Sequence, residues 1–157
     1  MSVRELQQRL AGTLGLDNDD ADLQDAIHDG VWTFHKPAAD TAGTDYTYFA
    51  MKVPFDVQII SVSICPHATL TANDTNYATI TLEAGDGAAG STDTVASQTT
   101  KITGGSGDWA ADTYVELTVD PDYALVDDGQ MLLVEAVKAA SGVAVPIASF
   151  TIRYRRR

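Results

Sequence analysis

Apolar and polar residues alternate with a period of two from residue 31 to the C-terminal end, and this pattern constrains the fold more than any other feature. In the last stretch, Phe150 and Ile152 alternate with Ser149 and Thr151. Successive side chains of a strand point to opposite faces of its sheet, so the alternation predicts strands with one buried face. Eight stretches are predicted as strands: 31–34, 47–53, 57–65, 77–84, 94–103, 114–119, 131–137 and 147–154.

Turn residues separate these short strands, most clearly in the glycine-rich stretch 85–90. Short antiparallel strands joined by such turns are typical of a β-sandwich, and their number suits a jelly roll. The adjacent apolar residues Ile59 and Ile60 interrupt the alternation, which predicts a bulge. The polar, threonine-rich stretch 94–103 is expected at a sheet edge. The predicted fold class is therefore all-β, an antiparallel, jelly-roll-like sandwich of about eight strands over residues 31–157.

Residues 1–30 differ from the rest of the chain because their apolar residues follow helical spacing. Ser2 and Glu5 have the spacing of a capping box, and Gly30 is expected to end a second short helix. Helices this short are marginal in isolation, so they must pack on their own domain or on another chain. The sequence predicts a helical N-terminal arm that contacts a neighbouring chain through one apolar stripe. The stripe consists of Leu6, Leu10 and Leu14.

The charge balance excludes some classes of partner. The chain has 157 residues and a formal net charge of −12, so it repels nucleic acid and anionic membrane surfaces. No apolar run approaches the roughly 20 residues that span a bilayer, and the N-terminus lacks the apolar core of a secretory signal. Cys65 is the only cysteine, which excludes an intramolecular disulfide framework. We expect a protein made in a reducing cytoplasm, without nucleic acid or a membrane as partner.

Four arginines at the C-terminal end are the local exception to this acidity. Arg153 is expected to point outward by alternation, and Arg155, Arg156 and Arg157 are expected to continue past the end of the last strand. Four positive charges so close together are tolerated best where carboxylates lie nearby, on the same chain or on a partner. We therefore predict that these arginines bind an acidic surface of another subunit or of a partner protein. The alternative is a solvated, solubilising end.

The sequence offers no convergent set of catalytic, cofactor-binding or metal-binding residues, and we expect no enzyme and no cofactor. His28, His35 and His67 lie in no metal-ligand motif. Cys65 and His67 could form a reactive pair, but Cys65 ends an apolar alternation and is more typical of a small buried residue. The acidic stretch 17–22 lacks the central glycine of a calcium loop, and it is typical of a helix N-terminus.

Four aromatic residues leave open a carbohydrate-binding surface, since aromatic rings can stack on sugar rings. The alternative is that they form cross-strand packing pairs. The residues are Tyr46, Tyr48, Trp109 and Tyr114.

The pattern of strands and polar turns resembles that of head decoration and head-fibre proteins of tailed bacteriophages. The resemblance is carried by residues 57–66 and 70–82, the glycine-rich tip and residues 119–154. The resemblance covers roughly residues 45–155 and does not extend to the arm. It implies a protein that binds the outside of an icosahedral shell, often as a trimer. The implied partners are the major capsid protein and further copies of the chain, and the implied location is the capsid surface of the virion.

We therefore expect a structural virion protein, a capsid decoration or cement protein that bridges neighbouring major capsid subunits. One alternative within the virion is a head-fibre, tail or baseplate module. Outside it, the alternatives are a carbohydrate-binding sandwich and, less favoured, a small hydrolase or isomerase on a jelly-roll scaffold. A cupin-type enzyme would need histidines and a carboxylate on facing strands, which the three scattered histidines do not provide.

Overall fold

The computed structural model describes residues 29–86 and 92–157, which form nine strands. In chain order these are β1 Asp29–Lys36, β2 Tyr46–Lys52, β3 Val57–Pro66, β4 Ala78–Gly85, β5 Thr92–Thr99, β6 Val115–Val119, β7 Leu125–Val126, β8 Met131–Lys138 and β9 Ala148–Arg156. Within this part of the chain, none of the residues forms a helix of the length and hydropathy needed to span a bilayer.

The strands pair in a nested pattern, in which β1 pairs with β9, β2 with β8, β3 with β6 and β4 with β5, all antiparallel. This is one long antiparallel hairpin rolled up, which is the jelly-roll arrangement. The rolling gives sheet A, in the order β1-β9-β3-β6, and sheet B, in the order β2-β8-β4-β5. The predicted antiparallel jelly roll is therefore confirmed.

Strand β6 joins the two sheets, which explains why the fold is nearly closed. Its first half pairs with β3 through Val62 and Leu117, and its end pairs with β5 through Ala96 and Val119. Strands that switch sheets in this way make the corners of a sandwich. The edge strands at the open side are β1 and β2.

The core lies between the inner faces of the two sheets and forms one continuous apolar cluster. Alternation along each strand sends every second side chain into it, as the burial of Phe150 and Ile152 on β9 shows. Its largest fully buried side chains include Ile64, Ile80, Leu82, Leu132 and Trp109.

Several local expectations can be compared with the structure. The bulge at Ile59 and Ile60 is confirmed, since the register of β3 and β9 shifts between Ile59 and Ser61. The expectation of an edge strand at 94–103 is wrong, because β5 pairs with β4 on one side and with the end of β6 on the other. The two-residue β7, which pairs with β3, was not predicted because so short a strand has no periodicity to detect.

The predicted helical arm lies outside the described residues, and so do Leu6, Leu10 and Leu14. Its last two residues are an exception, since Asp29 and Gly30 already belong to β1 rather than to a helix end. The reason is packing: Gly30 lies opposite Tyr154, and a Cβ there would come within 2.3 Å of the tyrosine ring. Gly30 therefore serves close strand packing and does not act as a helix stop.

Candidate functional site

The outer face of sheet A carries arginine, histidine and serine side chains at its two ends. Directly opposite residues of neighbouring strands share a face, so the strand register aligns their side chains in rows. Three of these rows cross β1, β9 and β3 in that order. The first consists of Asp29, Arg155 and Gln58, and the second of Val31, Arg153 and Ser61. The third consists of His35, Ser149 and Cys65. The first two rows, with Arg156 and Arg157 at the end of β9, make up what we call the arginine end. Arg156 is in register with buried Val57, so it belongs to the inner face of the sheet. The third row marks the histidine end.

Two of the four arginines form ion pairs with carboxylates of the same chain. Arg155 donates from Nε to Oδ1 of Asp29 over 3.0 Å, and Arg157 donates from Nη2 to Oδ1 of Asp127 over 2.6 Å. The guanidinium of Arg156 lies 4.6 Å from the centroid of the Phe55 ring, a cation–π contact. The chain itself therefore provides part of the negative charge that the arginine cluster was expected to need.

Arg153 lies on the outer face of sheet A, and its predicted outward orientation is confirmed. It is exposed on β9 between Val31 and Ser61 and has no side-chain ion pair within the described residues. Val31 is also exposed, as are Ile60 and Leu125 on the β3 side. Arginine beside exposed apolar side chains is the composition that protein–protein interfaces favour.

The last strand is longer than expected, since Arg155 and Arg156 belong to β9 and pair with Gln58 and Val57. These arginines are therefore held by the sheet and do not form a loose tail. Their binding to a partner, like that of Leu6, Leu10 and Leu14, stays a prediction.

A buried polar cluster connects the two edge strands, and we call it the polar seam: Lys36, Asp40, Tyr48 and Lys138. Lys138 Nζ lies 3.1 and 3.2 Å from the two carboxylate oxygens of Asp40, and Tyr48 donates its hydroxyl to the same carboxylate. The backbone N–H of Val145 adds a 2.6 Å hydrogen bond to Asp40 Oδ1. Lys36 donates to the carbonyls of Ala38, Val145 and Pro146.

Burial perturbs the titration of the polar seam. It lowers the pKa of Lys138 and of Lys36, although the negative charge of Asp40 opposes both shifts. It raises the pKa of Tyr48, and the hydrogen bond to Asp40 adds to that rise because it favours the protonated phenol. Asp40 already accepts hydrogen bonds from three different residues, so the polar seam is a structural clasp and offers little to a ligand.

The histidine end places four side chains in a chain of contacts. His67 Nδ1 lies 2.8 Å from Asp112 Oδ1, and its Nε2 lies 3.2 Å from Ser149 Oγ. His35 Nδ1 lies 2.9 Å from the same hydroxyl. The sequence favoured a small buried residue at Cys65 over a reactive pair with His67, and the structure confirms that Cys65 is buried. His67 instead contacts Ser149 and Asp112. Ser149 and Asp112 were missed because they lie far from His67 in the sequence. The one available sequence signal was that Ser149 faces outward in the apolar–polar alternation of the last strand.

The four aromatic residues proposed for sugar binding do not form one exposed surface. Trp109 is 1% exposed, and its Nε1 donates to Ser106 Oγ over 2.6 Å. Tyr48 is half-buried in the polar seam, which leaves only Tyr46 and Tyr114 exposed. Packing therefore accounts for the two buried rings, as the alternative interpretation expected.

No protein-family model and no curated protein matches the chain. Among solved structures, it is similar to infectious bursal disease virus, Gx strain, with 12% identity and a TM-score of 0.44 over 82% of this chain and 32% of that chain. It is also similar to the infectious bursal disease virus VP2 subviral particle, with 16% identity and a TM-score of 0.36 over 82% of this chain and 37% of that chain. The chain thus spans well under half the length of either. Similarity of this degree assigns no function, and the jelly roll rests on strand order alone.

Proposed function

We propose that this protein is a structural virion component, a capsid decoration or cement protein that binds the outer surface of an icosahedral phage head and bridges major capsid subunits. The observation that carries the proposal is the arginine end. There a row of positive charge and exposed apolar side chains stands on a rigid sheet of an otherwise acidic protein. The resemblance of residues 45–155 to phage head proteins supplies the class of partner.

Electrostatics favours this surface as the one that docks. A protein of net charge −12 is repelled by most acidic surfaces, so its approach must be led by its local positive charge. Arg153 lies in the middle of the cluster with exposed Val31 opposite it. The partner that fits is a capsid surface with carboxylates around an apolar centre.

Self-association into a homotrimer is part of the proposal, since the implied family often forms trimers. Exposed apolar side chains also occur away from the arginine end, at Ile102, Tyr114, Val137 and Ile147. Light scattering of the purified protein should give three times the chain mass. A monomer at all concentrations, and also after release from capsids, would contradict this part of the proposal.

Charge reversal tests the docking surface directly. We expect Arg153→Glu to reduce binding to capsids at least tenfold at low ionic strength, and we expect the wild type to lose binding as salt rises. The matched control is Lys101→Glu, the same charge change at a loop residue outside sheet A. Equal capsid binding by both variants and the wild type, measured by co-sedimentation, would contradict docking through the arginine end.

Removal of residues 155–157 provides a second, larger perturbation. If the arginines only solubilise the protein, capsid occupancy should not change at any salt concentration. If they bind the capsid, occupancy should fall most at low salt, where the charges of the wild type act over the longest range. A tail or baseplate module would instead co-purify with tails and not with emptied heads.

A further inference from the structure

Ser149 lies at the centre of the histidine end, on the outer face of β9. Its hydroxyl contacts His67 Nε2 at 3.2 Å and His35 Nδ1 at 2.9 Å, and His67 Nδ1 contacts Asp112 at 2.8 Å. The serine and the carboxylate therefore occupy opposite nitrogens of one imidazole. This is the arrangement in which a histidine can take a proton from a hydroxyl while a carboxylate orients the ring.

The chemistry of the donors fixes the direction of these hydrogen bonds when both histidines are neutral. Ionised Asp112 can only accept, so His67 carries its proton on Nδ1 and presents the lone pair of Nε2 to Ser149. Ser149 has one hydroxyl proton, which it donates to His67. Its contact with His35 must then be an accepted bond, from Nδ1–H of His35. The chain therefore runs from His35 through Ser149 and His67 to Asp112, and it polarises the serine hydroxyl toward His67.

Backbone contacts hold the base and its carboxylate partner in place before any ligand arrives. His67 and Asp112 lie on two loops that are tied together, since the N–H of Asp112 donates to the carbonyl of Pro66 over 2.7 Å. Leu70 and Trp109 exchange two further backbone hydrogen bonds between these loops. Asp112 has a φ of 54°, an uncommon conformation for a residue other than glycine.

We propose that Ser149 is an activated nucleophile and that the histidine end is an acyl-transfer site for small esters. Ser149 Oγ attacks the ester carbonyl carbon while its proton passes to His67 Nε2. The ester C–O bond then breaks, and the departing alcohol takes the proton from His67, which leaves an acyl group on Ser149. Water, deprotonated by His67, hydrolyses this ester, releases the acid and restores the serine. Asp112 is a positioning residue that acts through His67.

The openness of the site limits the class of substrate. The side chains of His67 and Asp112 are 44% and 75% exposed, so the serine stands on a surface rather than in an enclosed pocket. An exposed site offers little binding energy to a long acyl chain, and short, unhindered acyl groups with good leaving groups fit it best. The inference is independent of the capsid role, since it involves the opposite end of sheet A.

The test uses p-nitrophenyl acetate and site-resolved mass spectrometry of the full-length protein. We expect release of p-nitrophenol and an acetyl group on Ser149, both lost in Ser149→Ala. His67→Gln should slow acetylation of Ser149 by roughly 100-fold, the order of a general-base contribution. The matched control is Thr151→Ala, which removes the next outward hydroxyl of β9 and should leave Ser149 acetylation unchanged. Acetyl groups found only on lysines or the N-terminus of the wild type would overturn the proposal.

The role of Asp112 has a readout of its own. Asp112→Ala leaves Nδ1–H of His67 without its acceptor and should slow acetylation of Ser149, whereas Asp112→Glu keeps a carboxylate for that N–H and should restore the rate. A merely structural role would give no such rescue, because the longer glutamate would not refit the loop. Equal rates in Asp112→Ala and the wild type, or loss of acetylation in His35→Gln with His67→Gln unaffected, would contradict the assigned direction of the hydrogen bonds.

Discussion

Ion pairs of the same type occur in two settings in this protein, and the comparison shows how burial decides their role. In the polar seam the side chains of Lys138 and Asp40 are 0% and 2% exposed. At the arginine end the corresponding values are 38% and 31% for Arg155 and Asp29, and 36% and 73% for Arg157 and Asp127.

The buried pair cannot be solvated by water, so loss of either partner leaves an unpaired charge in the interior. The exposed pairs can exchange their protein partners for water, or for groups of a second molecule, at small cost. The polar seam therefore stabilises the open side of the jelly roll, whereas the arginine end is suited to binding.

The largest expected effect comes from loss of the carboxylate in the polar seam. Asp40→Ala leaves the ammonium group of Lys138 and the hydroxyl of Tyr48 without their shared acceptor, and it should lower the free energy of unfolding by about 3–5 kcal/mol. Asp127→Ala is the matched control, since it removes the carboxylate of an exposed pair. Urea denaturation measures both. A loss of less than about 1 kcal/mol for Asp40→Ala would erase the difference between the two settings.

A smaller effect on stability is expected at high pH, where Tyr48 of the polar seam loses its proton. The folded-state pKa of Tyr48 is raised above its ordinary value of 10.0, so its contribution to stability is complete below pH 10 and is lost as the pH rises further. Relative to Tyr48→Phe, the wild type should lose stability above pH 10 by at most about 1.4 kcal/mol per pH unit, and by less because the ring is partly solvated. Tyr114→Phe, at an exposed tyrosine, is the control. Parallel stability curves for Tyr48→Phe and the wild type would contradict the assigned shift.

The smallest effect on stability is expected at the arginine end. Arg155→Ala combined with Arg157→Ala removes two exposed ion pairs and should change the free energy of unfolding by about 0–1 kcal/mol per pair. Capsid binding by the same variant should fall clearly, which separates the two roles. Thermal unfolding and co-sedimentation of one preparation measure both quantities. A large stability loss with unchanged capsid binding would reverse the assignment of the two regions.

Local signals in the sequence predicted much of the fold. Period-two alternation identified most of the longer strands, and Ile59 beside Ile60 revealed the bulge because one extra apolar residue breaks the period. Which strands become neighbours is a long-range property. The polarity of β5 suggested an edge strand, although β6 crosses from the other sheet to cover it.

The contacts at the two ends of sheet A were harder to predict from the sequence, because they also depend on which strands become neighbours. Arg153 could be placed outward by counting from Phe150. The partners of the other arginines, Asp29 and Asp127, follow from strand register and loop position, which no local pattern encodes. The chain of contacts around Ser149 likewise depends on two strands and two loops meeting at one end of a sheet.

We propose that this protein occupies defined positions on a phage head through its arginine end. The most direct measurement is the ratio of this protein to the major capsid protein in gradient-purified capsids, taken over a range of added protein. We predict that the ratio reaches a fixed plateau for the wild type and for Lys101→Glu, and that Arg153→Glu fails to reach it under the same conditions. Capsids that carry none of the wild-type protein, or a ratio that rises without a plateau, would contradict the account.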